Sequence, residues 1–205
     1  MTDARPIVIG LTGSIGMGKS TTAQMFKSAG IPVWDADSTV HHLYTRDADA
    51  IQAIGDICPA ATVDGTVDRE VLKAWIKETP NAFKQIEQIV HPLVAQDRQR
   101  FLAQSEAPIV VLDVPLLFET GLAQDVDVIV VVSAPYSVQR ARVLARPNMT
   151  EAQFDAIVAK QVPDAEKRAR ADFVIETTSL EVAEAGVQKI LATLRAAPTT
   201  EKPRA

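Results

Sequence analysis

A single stretch decides the fold of this 205-residue chain: Ile7-Val8-Ile9-Gly10-Leu11-Thr12-Gly13-Ser14-Ile15-Gly16-Met17-Gly18-Lys19-Ser20-Thr21. It starts as a short apolar run, continues as a glycine-rich turn of the pattern G-x-x-x-x-G-K-[ST], and leads into a helical pattern. Glycines let successive backbone N–H groups turn inward toward phosphate oxygens, and the positive N-terminal end of the helix adds to the attraction. The stretch therefore predicts a triphosphate-binding loop between a strand and a helix.

Each position of this loop has a predicted role toward a nucleotide. Lys19 would reach the β- and γ-phosphates, the Ser20 hydroxyl would bind Mg²⁺, and Thr21 would help at the α-phosphate. The predicted cofactors are therefore ATP and Mg²⁺. The predicted nucleotide contacts are Ser14, Ile15, Gly16, Met17, Gly18, Lys19, Ser20 and Thr21.

Five short apolar runs predict the strands of a buried sheet. Most are continuous rather than alternating, as expected when helices cover both faces of a parallel sheet. Helical patterns over 19–29, 136–145 and 180–194 follow three of them, and such alternation of strand and helix is typical of a three-layer α/β fold. The five runs cover residues 7–11, 32–34, 109–112, 128–132 and 173–175.

Residues 38–104 interrupt this alternation and predict a helical insertion without strands. Asp68 is expected to cap a helix over 69–77, Pro80 to occupy the first position of another, and His91-Pro92 to end that one. A second insertion, the predicted lid, covers about 146–170. The remaining core of this single domain covers about 5–37, 105–145 and 171–197, and we expect a flexible tail over 198–205.

Composition limits the class of partner. The formal net charge of -5 gives no bulk attraction to nucleic acid or to an anionic membrane, so local cations and backbone N–H groups must hold an anionic ligand. No apolar run is long enough to span a bilayer, and the single Cys58 suits a reducing compartment. We expect a cytoplasmic protein, monomeric or a small homo-oligomer, with a small-molecule substrate.

The loop also serves GTPases, ATPase motors and signalling switches, so other motifs must separate these classes. A GTPase needs an Asn-Lys-x-Asp type of motif to read guanine. The chain has two asparagines, Asn81 and Asn148, and neither begins such a motif. A kinase instead needs an acceptor-binding insertion, a base near the acceptor hydroxyl, and arginines that close over the phosphates.

Two segments provide the acidic groups. Asp35 and Asp37 follow the second predicted strand, where ligands bind in open α/β sheets, and could orient or deprotonate an acceptor hydroxyl. The alternative is that they only end the strand and cap the next helix. Asp113 directly follows four apolar residues, which is the layout of a Walker B strand, and would bind Mg²⁺. Beyond it, Leu116, Leu117 and Phe118 fit either the core or an apolar wall for the acceptor, and we assign each to the core.

Basic residues cluster after the fourth predicted strand. Arg140 and Arg146 are candidates for neutralising charge on the transferring phosphoryl group, with Arg142 between them. The alternative is a solvated basic helix face. His91 lies in the helical insertion, where a lone histidine is more often structural than catalytic.

In this order and spacing, the motifs closely resemble the dephospho-coenzyme A kinase family. The resemblance extends from about residue 7 to about 175 and depends on the loop, Asp35-Ala36-Asp37, His91-Pro92, Asp113-Val114-Pro115-Leu116-Leu117-Phe118-Glu119, Gln139-Arg140 with Arg146, and Gln161. It implies an adenylate-kinase-like fold and transfer of the ATP γ-phosphoryl group to the ribose 3′-hydroxyl of dephospho-CoA. It further implies that Asp37 is the general base, that the lid covers ATP, and that Asp35, Asp37, His91, Leu116, Leu117, Phe118 and Glu119 bind the acceptor.

Two departures from the family pattern stand out. Ser14 occupies a position where the family usually has glycine, and Glu176-Thr177-Thr178 replaces a segment that usually carries an asparagine. The second departure concerns the contacts to adenine and leaves the transfer chemistry untouched. Two alternatives stay open from the residues alone: a kinase for another small hydroxyl acceptor, such as a nucleoside or nucleotide, and a nucleotide-dependent binding switch without acceptor chemistry.

Overall fold

The computed structural model describes residues 5–196, so the predicted tail over 198–205 lies outside the described residues. The chain divides into two compact units. One is Asp35–Gln104, and the other comprises the chain before Asp35 and after Gln104. Each unit has its own hydrophobic core.

The first unit is built on a five-stranded sheet in the order β2-β5-β1-β6-β7. β1 pairs in parallel with β5 and β6, and β6 pairs in parallel with β7, which confirms the predicted parallel sheet. β1 is central, so the loop that follows it lies at the middle of the carboxyl edge of the sheet. The strands are β1 (Ile7–Thr12), β2 (Val33–Asp35), β5 (Ile109–Asp113), β6 (Val128–Ser133) and β7 (Phe173–Glu176).

Helices pack on this sheet, and the predicted ones begin at the predicted residues. α9 packs against β7 and α1, and α8 packs against β6. Buried strand residues such as Ile9, Leu11 and Val130 are fully inaccessible, which explains why the runs are continuous rather than alternating. The helices are α1 (Lys19–Ser28), α6 (Tyr136–Leu144), α7 (Glu151–Val158), α8 (Asp164–Ala169) and α9 (Leu180–Ala196).

The second unit is mainly helical. Its core contains Leu43, Ile54, Leu72 and Ile86, which come from four different helices. The Asp68 side chain accepts hydrogen bonds from the backbone N–H groups of Glu70 and Val71, which confirms the predicted cap. The helices are α2 (Ala36–Arg46), α3 (Ala48–Ile57), α4 (Arg69–Glu78) and α5 (Ala82–Gln104).

The expectation that His91-Pro92 ends a helix was wrong, because α5 continues through Pro92. Ile86 and Val90 before the proline and Leu93 and Val94 after it all pack into one cluster. Continuous burial of this helical face outweighs the backbone hydrogen bond that proline cannot make.

Two further expectations for this unit were wrong. Pro80 is not the first residue of α5, because Asn81 has a φ of 63° and the helix begins only at Ala82. The segment also contains a short antiparallel hairpin of β3 (Thr62–Val63) and β4 (Thr66–Val67). Its turn residues Asp64 and Gly65 have positive φ, as two-residue hairpin turns require, but strands of two residues leave no periodic signal.

Candidate nucleotide-binding site

The glycine-rich loop lies between β1 and α1, and two of its glycines are required by the backbone. Gly16 and Gly18 have φ of 78° and 89°, in the left-handed region that side chains disfavour. A Cβ on Gly16 would lie 2.4 Å from Val143 Cγ2, and one on Gly18 would lie 3.1 Å from Thr177. The loop therefore needs glycine at both positions for conformation and for space.

Side chains from elsewhere in the first unit hold the peptide groups of the loop. Gln139 Nε2 donates to the Ile15 carbonyl at 2.8 Å, while the Ile15 N–H donates to Gln161 Oε1 at 3.1 Å. The Thr177 hydroxyl donates to the Met17 carbonyl at 2.7 Å. Met17 itself is only 2% exposed, so neither its side chain nor its backbone is open at the surface of the loop.

Lys19 and Asp113 meet at the carboxyl edge of the sheet. Lys19 Nζ donates to Asp113 Oδ1 at 2.6 Å, and the Asp113 side chain is 1% exposed. The parallel register places Asp113 beside Leu11 on neighbouring strands, which brings the acid to the start of the loop. The two predicted phosphate- and metal-handling residues are therefore adjacent.

The residues near the loop fit a bound Mg²⁺. Ser20 is exposed at the start of α1, and Asp113 supplies a carboxylate beside Lys19. Within residues 5–196 no group of three or more His, Cys, Asp or Glu side chains could hold a metal ion. Mg²⁺ usually takes one or two carboxylates together with substrate phosphates and waters, and Ser20 and Asp113 are the residues that would hold it.

The three arginines of the basic cluster have different surroundings. Arg140 pairs with Glu151 of α7, and Arg146 is exposed. Arg142 donates to both the hydroxyl and the carbonyl oxygen of Thr177, the residue that holds the Met17 carbonyl. The sequence interpretation named Arg142 only as a neighbour, although it is the arginine connected to the loop.

The residues after β5 separate into core and surface. Leu117 is fully buried and Phe118 is 8% exposed, which confirms their assignment to the core. The assignment of Leu116 to the core was wrong, because this residue is 41% exposed. Glu119 Oε1 accepts from the Val162 N–H at 2.9 Å and lies 2.9 Å from Lys167 Nζ. Burial raises the pKa of Glu119, but these two contacts outweigh burial, so the pKa lies below its usual value.

Asp35, Asp37 and His91 belong to the second unit. The Asp35 carboxylate accepts from the Ser38 N–H at 2.7 Å, so it caps α2, and Asp37 is exposed in the first turn of that helix. The side chain of His91 is 68% exposed on α5, 3.8 Å from Glu87. Asp35 therefore caps the helix, as the alternative interpretation predicted, while the Asp37 carboxylate faces solvent.

Two further observations concern the single cysteine and the apolar character of the helices. Cys58 is buried at 3% exposure. Over residues 5–196, none of the helices combines the length and the apolar character that crossing a membrane would need.

Comparisons with a family model and with known proteins agree on one family. A sequence model described as dephospho-CoA kinase matches residues 7–182. A dephospho-CoA kinase of Cereibacter sphaeroides is 52% identical over 93% of this chain and 97% of its own length.

Solved structures agree with the fold. A crystal structure from Thermus thermophilus superimposes with a TM-score of 0.81 at 33% identity, over 95% of this chain and all of the other. The dephospho-CoA kinase of Campylobacter jejuni, at 21% identity, has a TM-score of 0.65 over 91% of this chain and 96% of its own, and shares the fold.

Proposed function

This chain belongs to the dephospho-CoA kinase family, and on that premise we propose how its residues carry a phosphoryl group from ATP to dephospho-CoA. It is an ATP-dependent phosphotransferase of coenzyme A synthesis. The acceptor atom in this proposal is the ribose 3′-hydroxyl oxygen, and the products are coenzyme A and ADP. The residue roles below are the part that the proposal adds.

The observation that carries the proposal is the contact between Lys19 and Asp113 at the mouth of the glycine loop. A cation and a carboxylate beside a row of backbone N–H groups form the arrangement that holds a triphosphate with its metal. Ligand phosphates would take Lys19 Nζ as a partner, and the Asp113 carboxylate would then be available to the metal. When bound, Mg²⁺ supplies charge neutralisation on the β- and γ-phosphates.

The transfer itself depends on positioning and electrostatics. Lys19 and the backbone N–H groups of the loop hold the phosphates, apart from those of Ile15 and Met17, which already donate to Gln161 Oε1 and to the Ser14 carbonyl oxygen. Ser20 and Asp113 would be the metal ligands. The acceptor oxygen attacks the γ-phosphorus, and the bond between the γ-phosphorus and the β–γ bridging oxygen breaks. Arg140 and Arg146 neutralise the charge that develops on the transferring group.

On the acceptor side, the roles belong to residues of the second unit and of the loop after β5. Asp37 accepts the proton of the 3′-hydroxyl, and Asp35 and His91 contribute to acceptor binding together with Leu116. The exposure of Asp37 and Leu116 supports these roles, since both side chains are open to a ligand. Leu117 and Phe118 shape the site from the core rather than by contact.

One assay tests the function directly. Purified protein with ATP, Mg²⁺ and dephospho-CoA is expected to yield a product heavier by one phosphate in mass spectrometry, with ADP formed in equal amount. Omitting dephospho-CoA should leave only slow ADP formation. Phosphorylation of a different hydroxyl acceptor alone would contradict the proposed substrate, and nucleotide binding without any acceptor-stimulated ADP would contradict a kinase.

A further inference from the structure

The segment from Asp164 to Arg170 is attached to the rest of the first unit by three side chains at intervals of three residues. Asp164 Oδ2 accepts from the Ser133 hydroxyl at the end of β6, at 2.8 Å. The Arg170 guanidinium carbon lies 4.3 Å above the centre of the Phe118 ring. Between them, Lys167 reaches Glu119. Residues three apart on a helix lie on one face, so α8 presents one side to the loop after β5 and to β6.

The middle contact is the most buried. The Lys167 side chain has no exposed surface, and that of Glu119 is 17% exposed. A buried ammonium is tolerated only with a nearby counter-ion, and Glu119 Oε1 at 2.9 Å supplies it. Glu119 Oε1 is thus already engaged inside the protein, while Oε2 is buried without a hydrogen-bond partner among the described residues. The engagement of one oxygen and the burial of the other argue against direct use of the carboxylate on an acceptor substrate.

The same oxygen of Glu119 also fixes the backbone at Val162, because it accepts a hydrogen bond from the Val162 N–H at 2.9 Å. The side-chain oxygen of the preceding residue, Gln161, accepts a hydrogen bond from the Ile15 N–H of the glycine loop. Gln139 holds the Ile15 carbonyl from the other side. A continuous path of contacts therefore leads from Glu119, through the backbone of Val162, to a loop peptide.

We propose that Glu119 and Gln161 are positioning residues, with Glu119 holding the Val162 backbone so that Gln161 fixes the Ile15 peptide and preorganises the loop for nucleotide. Glycine-rich loops have many accessible conformations, and ordering them weakens binding unless other contacts have already restricted them. Gln161 supplies such a contact from outside the loop. This assignment rests on the proposed function only in that the loop binds a nucleotide, and it replaces the acceptor contact that family resemblance implies for Glu119.

The first test measures affinity for Mg·ADP by calorimetry in the full-length protein, with no acceptor present. Gln161→Met keeps the length of the side chain but removes the acceptor oxygen, and we expect about threefold to tenfold weaker binding, the effect of one hydrogen bond. Gln85→Met, at an exposed position of α5, is the matched control and should bind as the wild type does. Unchanged or tighter binding by the Gln161 variant would overturn the proposal.

A pair of double variants isolates the role of Glu119 without leaving a charge buried. E119Q/K167M removes both charges but retains an oxygen that can accept the Val162 N–H, whereas E119M/K167M removes that oxygen as well. We expect Mg·ADP affinity within about twofold of wild type for the first and a loss similar to that of Gln161→Met for the second. Adding Gln161→Met to E119M/K167M should cause little further loss of Mg·ADP affinity, because the effects of substitutions along one path of contacts do not add.

Two outcomes overturn the role of Glu119: equal affinity in both double variants, or full additivity with Gln161→Met. The KM for dephospho-CoA gives a separate readout, because an acceptor contact by Glu119 would raise this KM in both double variants and leave Mg·ADP affinity unchanged. If the wild type fails to phosphorylate dephospho-CoA, the proposed function fails while the nucleotide measurements still decide the positioning role. If E119M/K167M does not fold, the Gln161→Met result remains decisive.

Discussion

The contact between Lys19 and Asp113 explains why two residues far apart in the chain are both needed at one edge of the sheet. The carboxylate neutralises a lysine that is only 14% exposed, and the lysine compensates an acid that is almost fully buried. Each group thus stabilises the other at the start of the glycine loop.

Replacing Lys19 by Met is expected to reduce turnover by about 10²-fold or more, because the phosphates lose their cation. The ion pair with Asp113 is lost as well, so the free energy of unfolding should also fall, by up to about 3 kcal/mol. Steady-state kinetics and urea unfolding measure the two effects separately. Lys189→Met on the exposed surface of α9 is the control, and turnover within tenfold of wild type would contradict the role of Lys19.

At this scale the sequence identified residues that belong to a motif, Gln139 and Gln161 among them, but missed Arg142 and Thr177 as supports of the loop. Lys19 and Asp113 could be identified because each has a fixed place relative to a strand. Arg142 and Thr177 could not, because they meet across 35 residues of sequence and neither lies in the glycine loop that their hydrogen bonds support. The only available signal was that Thr177 stands in a segment that departs from the family pattern.

Among the elements, buried strands were the easiest to predict and helix boundaries within the second unit were the hardest. Each predicted strand of the main sheet lies within one residue of its observed bounds, since a fully buried parallel strand must be apolar throughout. α5 was divided in the prediction because Pro92 opposes helix locally, but the packing of Ile86, Val90 and Leu93 decides the outcome. Burial of that kind is visible only once partners are known.

The first turn of α2 gives a matched pair of substitutions two residues apart. Asp35→Ala removes the cap on the Ser38 N–H and should reduce the free energy of unfolding by about 1 kcal/mol, while Asp35→Asn can still cap and should change it little. Asp37→Ala alters an exposed side chain and should stay within about 0.5 kcal/mol of wild type, yet lose about 10²-fold or more in turnover if Asp37 is the base. Urea unfolding and a coupled ADP assay separate stability from catalysis.

These measurements also decide between the two interpretations of the acidic pair. Near-normal turnover in Asp37→Ala would show that the base is another group. A loss of turnover in Asp35→Ala that Asp35→Asn restores would assign to Asp35 a capping role alone. A loss in both Asp35 variants would support a direct contact of its charge with the acceptor.

For the whole molecule, stability depends on two separate cores. One lies between the sheet and helices such as α1 and α9, and the other is enclosed by the helices of Asp35–Gln104. The predicted helical insertion began at Ser38, three residues after this unit begins, because the pattern could not show that Asp35 already belongs with the helix that it caps. The proposed use of this unit in acceptor binding stays a prediction.

The buried pair of Glu119 and Lys167 makes a pH-dependent contribution to stability of known sign. Because the pKa of Glu119 is lower in the folded protein than in the unfolded chain, the folded state binds fewer protons near that pKa, and stability increases with pH there. The contribution is fully present above the unfolded pKa of about 4.3 and is lost as pH falls through the folded value. Glu119→Gln lacks this contribution at every pH.

We therefore expect Glu119→Gln to be less stable than wild type by about 2–3 kcal/mol at pH 7, since the buried Lys167 side chain loses its counter-ion. The difference should narrow as pH falls below about 5, because a protonated glutamic acid at position 119 resembles glutamine in shape and charge. Urea unfolding followed by circular dichroism across this range measures it, and Glu184→Gln on the exposed face of α9 is the control. A difference that stays constant with pH would mean that the Glu119 charge does not stabilise the fold, and that Lys167 is neutralised by another group.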